Sequence, residues 1–221
     1  MIDALSLRAK RRLTLVALFC FCVFAGCQPV LTSPPNTAQP NALGGTRMQP
    51  PPETLQVPLR FGGHNFDAHC YNAIGCRVIY DNHDFSPWAG QEDPDELVSP
   101  APKPDENYQQ SWGLASYIGI RNFPPPAQVR WKSLDGHTHV AEVDIAAIFE
   151  NELIWHKVPK HDMAHFFEGP YASDPSIHLE INDRTISVYI YDLIPTKSEQ
   201  IPGNKYSTAR TDMFLVWTRT Y

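Results

Sequence analysis

From residue 57 to the last residue the chain is divided into eight short apolar runs, and their spacing leaves few folds open. The runs are VPLRF, CRVIY, ASYIGI, AQVRWKSL, HVAEVDI, SIHLEIN, TISVYIY and MFLVW, separated by clusters of Gly, Pro, Asn and Asp. β-Branched and aromatic side chains suit a pleated, half-buried surface, and turn clusters this frequent argue against long helices. In IHLEINDRTISVYIYD, Ile177, Leu179 and Ile181 alternate with polar residues, as do Ile186, Val188 and Ile190. Each run therefore turns one face to a core, and Asn182-Asp183-Arg184 predicts the hairpin turn between them. AQVRWKSLDGHTHVAEVDI predicts a second hairpin turning at Asp135-Gly136, a dipeptide that tolerates the positive φ of a type I′ turn. DIAAIFENELIW carries Ile145, Ile148 and Phe149 at helical spacing and predicts one short helix, stopped by Pro159. The fold class that follows is mainly β: an antiparallel β-sandwich-like single domain over residues 57–221 with one short helix.

What precedes this domain concerns location. Arg8, Lys10, Arg11 and Arg12 stand directly before the apolar stretch from Leu13 to Ala25. A basic patch followed by about a dozen apolar residues has the order of a secretory signal and falls short of the roughly 20 residues that a spanning helix needs. Ala25-Gly26-Cys27 resembles the lipobox of bacterial lipoproteins. That resemblance implies removal of residues 1–26 and acylation of Cys27, so that lipid chains hold the protein to a membrane. A plain secretory signal, leaving Cys27 free, is the alternative. Gln28, where an Asp would signal retention at the inner membrane, implies the periplasmic side of the outer membrane. Residues 27–56, rich in Pro, Asn, Thr and Gly, predict a lipidated cysteine and a disordered Pro-rich tether reaching at most about 90 Å. An extended arm packed along the domain is the other reading. Without residues 1–26 the chain holds 14 basic against 23 acidic side chains, a formal charge of −9. Such a balance disfavours nucleic acid and electrostatic adhesion to anionic lipid, leaving a protein as the expected partner.

Cys70 and Cys76 remain for the folded part, and an oxidising compartment predicts a disulfide between them. Nine histidines prompt a search for metal ligands. His137 and His139, flanking Thr138, would face the same side of a strand, and His161 and His165 have i, i+4 spacing, but no third ligand is suggested by local spacing. The expectation is therefore no metal and no cofactor. G-x-S-x-G, P-loop and G-x-G-x-x-G patterns are missing, so the reading is of a protein that is not an enzyme. QEDPDELVSPAPKPDE, residues 91–106, is a Pro-interrupted acidic loop, either a solvated surface or a docking surface for a basic partner. Trp88, Asp93, Asp95, Glu96 and Trp112 are the candidate partner-binding residues, because exposed aromatics anchor interfaces; core packing is the alternative for both tryptophans.

PPPAQVRWKSLDGHTHVAEVDIAAIFENE and IHLEINDRTISVYIYDLIP resemble the core of uncharacterised bacterial lipoprotein families. The upstream YNAIGCRVIYDNHDFSPWAG is similar to a stretch of related lipoproteins associated with type VI secretion lipase effectors, and together these cover roughly residues 70–195. This chain departs from the related pattern in lacking its Gly-rich run and paired cysteines after Trp88-Ala89-Gly90. The resemblance implies a partner-binding immunity protein that neutralises a secreted phospholipase effector. An envelope structural lipoprotein and a histidine-based metal hydrolase are the other readings.

Overall fold

The computed structural model describes residues 39–40, 44–164 and 172–221. The expected signal peptide, Cys27 and His165 lie outside these residues. The strands are β1 (Gln39–Pro40), β2 (Thr46–Arg47), β3 (Leu59–Arg60), β4 (Gly63–Tyr71), β5 (Ala73–Tyr80), β6 (His83–Asp84), β7 (Tyr117–Arg121), β8 (Ala127–Ser133), β9 (Thr138–Val143), β10 (Leu153–Ile154), β11 (Ser176–Asn182), β12 (Thr185–Pro195) and β13 (Ala209–Thr220). They form a seven-stranded sheet in the order β1-β2-β13-β12-β11-β4-β7, a four-stranded sheet in the order β6-β5-β8-β9, and a two-stranded β10-β3 pair. All pairings are antiparallel except β11 with β4, which is parallel. The β-sandwich-like expectation holds, with that one mixed pairing.

Alternation builds the core. Ile177, Leu179 and Ile181 of β11 and Ile186, Val188 and Ile190 of β12 meet Val78 of β5 and Val129 and Trp131 of β8, all fully or almost fully buried. The hairpin turn at Asp183-Arg184 is observed, with Asn182 opposite Thr185 and Asp183 at φ 50°. The second hairpin is wider than the type I′ expectation: Ser133 N–H bonds the His137 carbonyl at 3.0 Å, and only Gly136 carries positive φ there. Asp135 instead accepts from the His137 N–H at 3.1 Å, so four residues make the turn. The expected helix is a single turn, α2 (Ile145–Ile148), capped by Asp144 accepting from the Ala147 N–H at 2.9 Å.

Two features were not expected. Strand β4, next to the edge strand β7 of the seven-stranded sheet, was missed, because GHNFDAHCY reads as polar. His64, Phe66 and Cys70 nevertheless point inward, and His64 is buried between Asn122 Oδ1 at 2.8 Å and the Tyr80 hydroxyl at 3.0 Å. The tether is also shorter than expected, since residues 46–56 belong to the domain. β2 pairs with β13, and a second short helix, α1 (Pro52–Gln56), buries Thr54, whose hydroxyl donates to the His156 carbonyl at 3.0 Å. A buried side-chain hydrogen bond and strand pairing outweigh the low apolar content that suggested disorder.

The two sheets join where β4 runs into β5. Cys70 and Cys76 form a disulfide across this corner, with Cα atoms 6.3 Å apart. Trp131 of β8 donates its indole N–H to the Asp183 carbonyl in the turn of the other sheet, at 2.6 Å. Replacing both cysteines by Ala is expected to lower stability by about 2 kcal/mol in denaturant melts. A reductant should reproduce the loss in the native chain and have no effect on the variant.

The N-terminal arm depends on close approach. A Cβ at Gly45 would lie 2.4 Å from the Trp217 indole, inside any tolerable contact. Gly45→Ala is therefore expected to cost about 1–3 kcal/mol and to increase amide exchange at β2. Unchanged exchange there would contradict the contact.

Candidate partner-binding surfaces

The acidic loop lies against the four-stranded sheet. Gly75, at φ 56°, donates its N–H to the Leu97 carbonyl at 3.0 Å, and Ser99 N–H bonds the Ala73 carbonyl at 2.7 Å. A Cβ at Gly75 would stand 2.6 Å from the Asp95 carbonyl oxygen, so glycine is what lets the loop backbone rest there. The outer face beneath is basic. Arg77 and Arg130 are directly paired across β5 and β8, an opposition that destabilises an antiparallel pair. Asp84 lies 3.9 Å from Arg77, Asp95 lies 3.7 Å from Arg130, and Glu96 lies 3.2 Å from Lys132. These exposed pairs are each worth under about 1 kcal/mol, but they answer the loop's charge from within the molecule.

Of the expected partner-binding residues, Trp88 and Asp95 line one cavity of about 220 Å³ together with Gly75, Arg77 and Asp84. Trp88 is half-buried, and its indole nitrogen meets no acceptor among the described residues. Asp93 and Glu96 are exposed on the same loop. Trp112 is elsewhere, on the outer face of the seven-stranded sheet. A larger cavity, about 410 Å³, lies between Arg47 and Trp155, where Arg47 is closed by Glu150 at 2.6 Å and by the Ile148 carbonyl.

Trp112 belongs to a polar seam. The outward positions of β11, which are Ser176, His178 and Glu180, are buried because residues 108–115 lie across them. Trp112 stacks on His69 of β4 with ring centroids 4.0 Å apart and donates its N–H to the Tyr71 hydroxyl at 3.0 Å. His69 Nε2 and His178 Nδ1 are 3.1 Å apart, and His178 Nε2 is 3.1 Å from the Gly113 carbonyl. Ala115 N–H bonds Ser176 Oγ at 2.9 Å. Glu180 accepts from the hydroxyls of Tyr108 and Tyr189. Burial lowers the pKa of both histidines to about 4, with the neighbouring His178 lowering His69 further and Asp67 opposing the shift in both. Burial pushes Glu180 up, against the two tyrosine hydrogen bonds that lower it. The seam therefore holds neutral imidazoles and a desolvated carboxyl, all turned to partners within the molecule.

The sign of the pH effect follows. The opened state takes up protons on His69 and His178 that the closed seam refuses, so closure loses stability as pH falls from about 6.5 to about 4. Glu180 acts in the opposite direction, because its raised pKa favours the closed state in acid. Amide exchange, corrected for intrinsic rates, is expected to rise in residues 108–115 between pH 7 and pH 4.5 while β12 stays protected. Replacing both histidines by Gln should remove that pH dependence; equal acid sensitivity in the variant would assign it elsewhere.

The remaining histidines do not assemble. His137 lies in the turn, 3.0 Å from Asp135, while His139 on β9 stacks on Trp131 at 4.9 Å, so the pair does not share a strand face. Ser133 Oγ is 2.8 Å from His139 Nε2 and 2.5 Å from Asp135 Oδ1, but Ser133 is fully buried and the carboxylate orients the serine rather than the imidazole. Among the described residues no group of three or more His, Cys, Asp and Glu is placed to hold a metal ion. One surface that sequence reasoning passed over is the loop of residues 196–208 between β12 and β13, where Ile201 and Tyr206 are exposed. Its signal was an apolar residue placed on a Pro-Gly-Asn turn, Ile201-Pro202-Gly203-Asn204.

No family model matches the chain, and neither the curated proteins nor the solved structures contain a match to it.

Proposed function

We propose that this chain is a lipid-anchored protein of the outer membrane, facing the periplasm, that binds a partner protein. In its sharpest form it is an immunity protein that neutralises a secreted phospholipase effector of a type VI system. The observation that carries the location is the Cys70 to Cys76 disulfide at the corner of the two sheets, which suits an oxidising compartment and agrees with the signal-like N-terminus ending at Cys27. Binding is favoured over catalysis by where the titratable groups lie. Glu180, His69 and His178 are closed in mutual contacts beneath residues 108–115, whereas large apolar side chains stand exposed on loops. The resemblance of residues 71–90 to lipoproteins associated with type VI secretion lipase effectors supplies the class of partner.

Intact mass of the protein from membranes should show residues 1–26 removed and acyl chains on Cys27, and Cys27→Ser should release it into the soluble periplasmic fraction. An uncut or unacylated chain defeats the anchor. For the immunity form, the full chain should bind the product of the adjacent gene in calorimetry, and its deletion should sensitise cells to sister cells carrying that effector. Neither binding nor sensitisation would sink that form.

A further inference from the structure

Among the described residues β12 and β13 make the longest hairpin, 11 and 12 residues, and the loop at its end is built as a rigid projection. Thr196 N–H bonds the Thr208 carbonyl at 3.0 Å and Gln200 N–H bonds the Ser207 carbonyl at 2.7 Å, which carries the pairing past the strands. The Ser207 hydroxyl accepts from the Ile201 N–H at 2.9 Å and donates to the Asn204 carbonyl at 2.7 Å, closing the tip from inside. Asn204 Oδ1 accepts from the Tyr206 N–H at 3.1 Å, and Glu199 Oε2 accepts from the Gly203 N–H at 3.0 Å. The base is clamped as well: Asp162 takes the Ser198 N–H at 2.9 Å and its hydroxyl at 2.8 Å, and the Asp162 carbonyl takes the Lys197 N–H at 2.7 Å.

Against this ordered backbone the side chains at the tip stand in solvent. Ile201 is 59% exposed and Tyr206 83% exposed, with Pro202 exposed between them. A free apolar tip gains nothing for folding, and a loop already fixed by hydrogen bonds loses little entropy on binding. Its charge is opposite in sign to that of the whole chain. Lys205 stands exposed at the tip with its ammonium 5.0 Å from the centroid of the Tyr206 ring, and Lys197, exposed at the base, donates from its ammonium to the His161 carbonyl at 3.2 Å. Glu199, the acid between them, turns a carboxylate oxygen to the loop's own backbone, while the chain as a whole carries −6.

We infer that residues 196–208 form the protein-docking element of this chain, inserting Ile201, Pro202 and Tyr206 into an apolar cleft of the partner whose rim is acidic and faces Lys197 and Lys205. The inference rests on the partner-binding reading above and reverses the sign of the partner that the acidic loop suggested. A protein cleft is favoured over a lipid surface. Three such side chains bury too little hydrocarbon to hold a bilayer, whereas a rigid Tyr beside a cation is the composition of an interface anchor.

The test places a photo-crosslinking amino acid at position 201 or 206 of the full chain in living cells, with position 142 on the exposed face of β9 as control. Adducts to one protein, identified by mass, are expected from 201 and 206 and not from 142. With that protein purified, Tyr206→Ala should weaken binding about 30-fold. Lys197→Glu with Lys205→Glu should slow association about tenfold, and added salt should do the same to the native chain. Both substitutions fall on exposed side chains, and melting temperatures unchanged from the native chain would exclude a folding defect. No protein adduct from 201 and 206, equal adducts from 142, or adducts to phospholipid with co-sedimentation on phospholipid vesicles would each overturn the docking role. An adduct protein other than the adjacent gene's product leaves the docking loop standing and defeats the immunity reading. Tight binding of that product with no loss in Tyr206→Ala defeats the loop and leaves the immunity reading.

Discussion

The chain crosses from the seven-stranded sheet into the four-stranded sheet over one residue, Asn72, and the remaining architecture is arranged around that step. β4 ends at Tyr71 and β5 begins at Ala73, so the two sheets must meet at an angle that the backbone sets within a single left-handed residue, with φ 49° at Asn72. The disulfide from Cys70 to Cys76 spans the bend on one side. On the other, Asn72 Nδ2 donates to Asn182 Oδ1 at 2.8 Å, tying the bend to the end of β11. Because both sheets hang from this corner, positions on β5 are fixed relative to positions on β4. The acidic loop finds its seat at Gly75, and in the polar seam His69 stands opposite Glu180 and Tyr71 opposite Asn182.

The seam shows how a face that alternation assigns to water comes to be buried. A strand such as β11, buried on both faces, normally reads as continuous apolar sequence, yet here every second residue is polar. Burying such groups is tolerable only when each finds a partner. Residues 108–115 supply them almost one for one: a carbonyl for His178, a hydroxyl for Glu180, an N–H for Ser176 and an indole face for His69. Polar partners demand a fixed geometry, so the cover is held in one register in a way that an apolar patch would not impose.

Legibility in the sequence followed the amount of hydrocarbon. β11 and β12 were readable because Ile177, Leu179, Ile181, Ile186, Val188 and Ile190 mark one face without interruption, and that face is the core. β4 was not, because its inward His64 is satisfied by Asn122 and Tyr80, partners 58 and 16 residues away that no local pattern reveals. The packed arm from Thr46 to Gln56 failed for the same reason: Gly45 against Trp217 and Thr54 against His156 are long-range contacts made by small residues. Among the candidate site residues, the adjacency of Trp88, Asp93, Asp95 and Glu96 was legible because they are close in the chain. That Asp95 and Glu96 face Arg130 and Lys132 was not, and Trp112 stayed open between surface and packing because the histidine it stacks on lies in an unrecognised strand.

The parallel pairing of β4 with β11 imposes an order of events on the chain. Asn65 pairs with Ser176, more than a hundred residues later, so the seven-stranded sheet cannot close until most of the polypeptide exists in one place. The bridge between Cys70 and Cys76 spans a separation of 6 and needs none of that length. Closing the corner therefore asks for none of the chain that closes the sheet, and in an oxidising compartment the bend can be set before the parallel pairing that it serves.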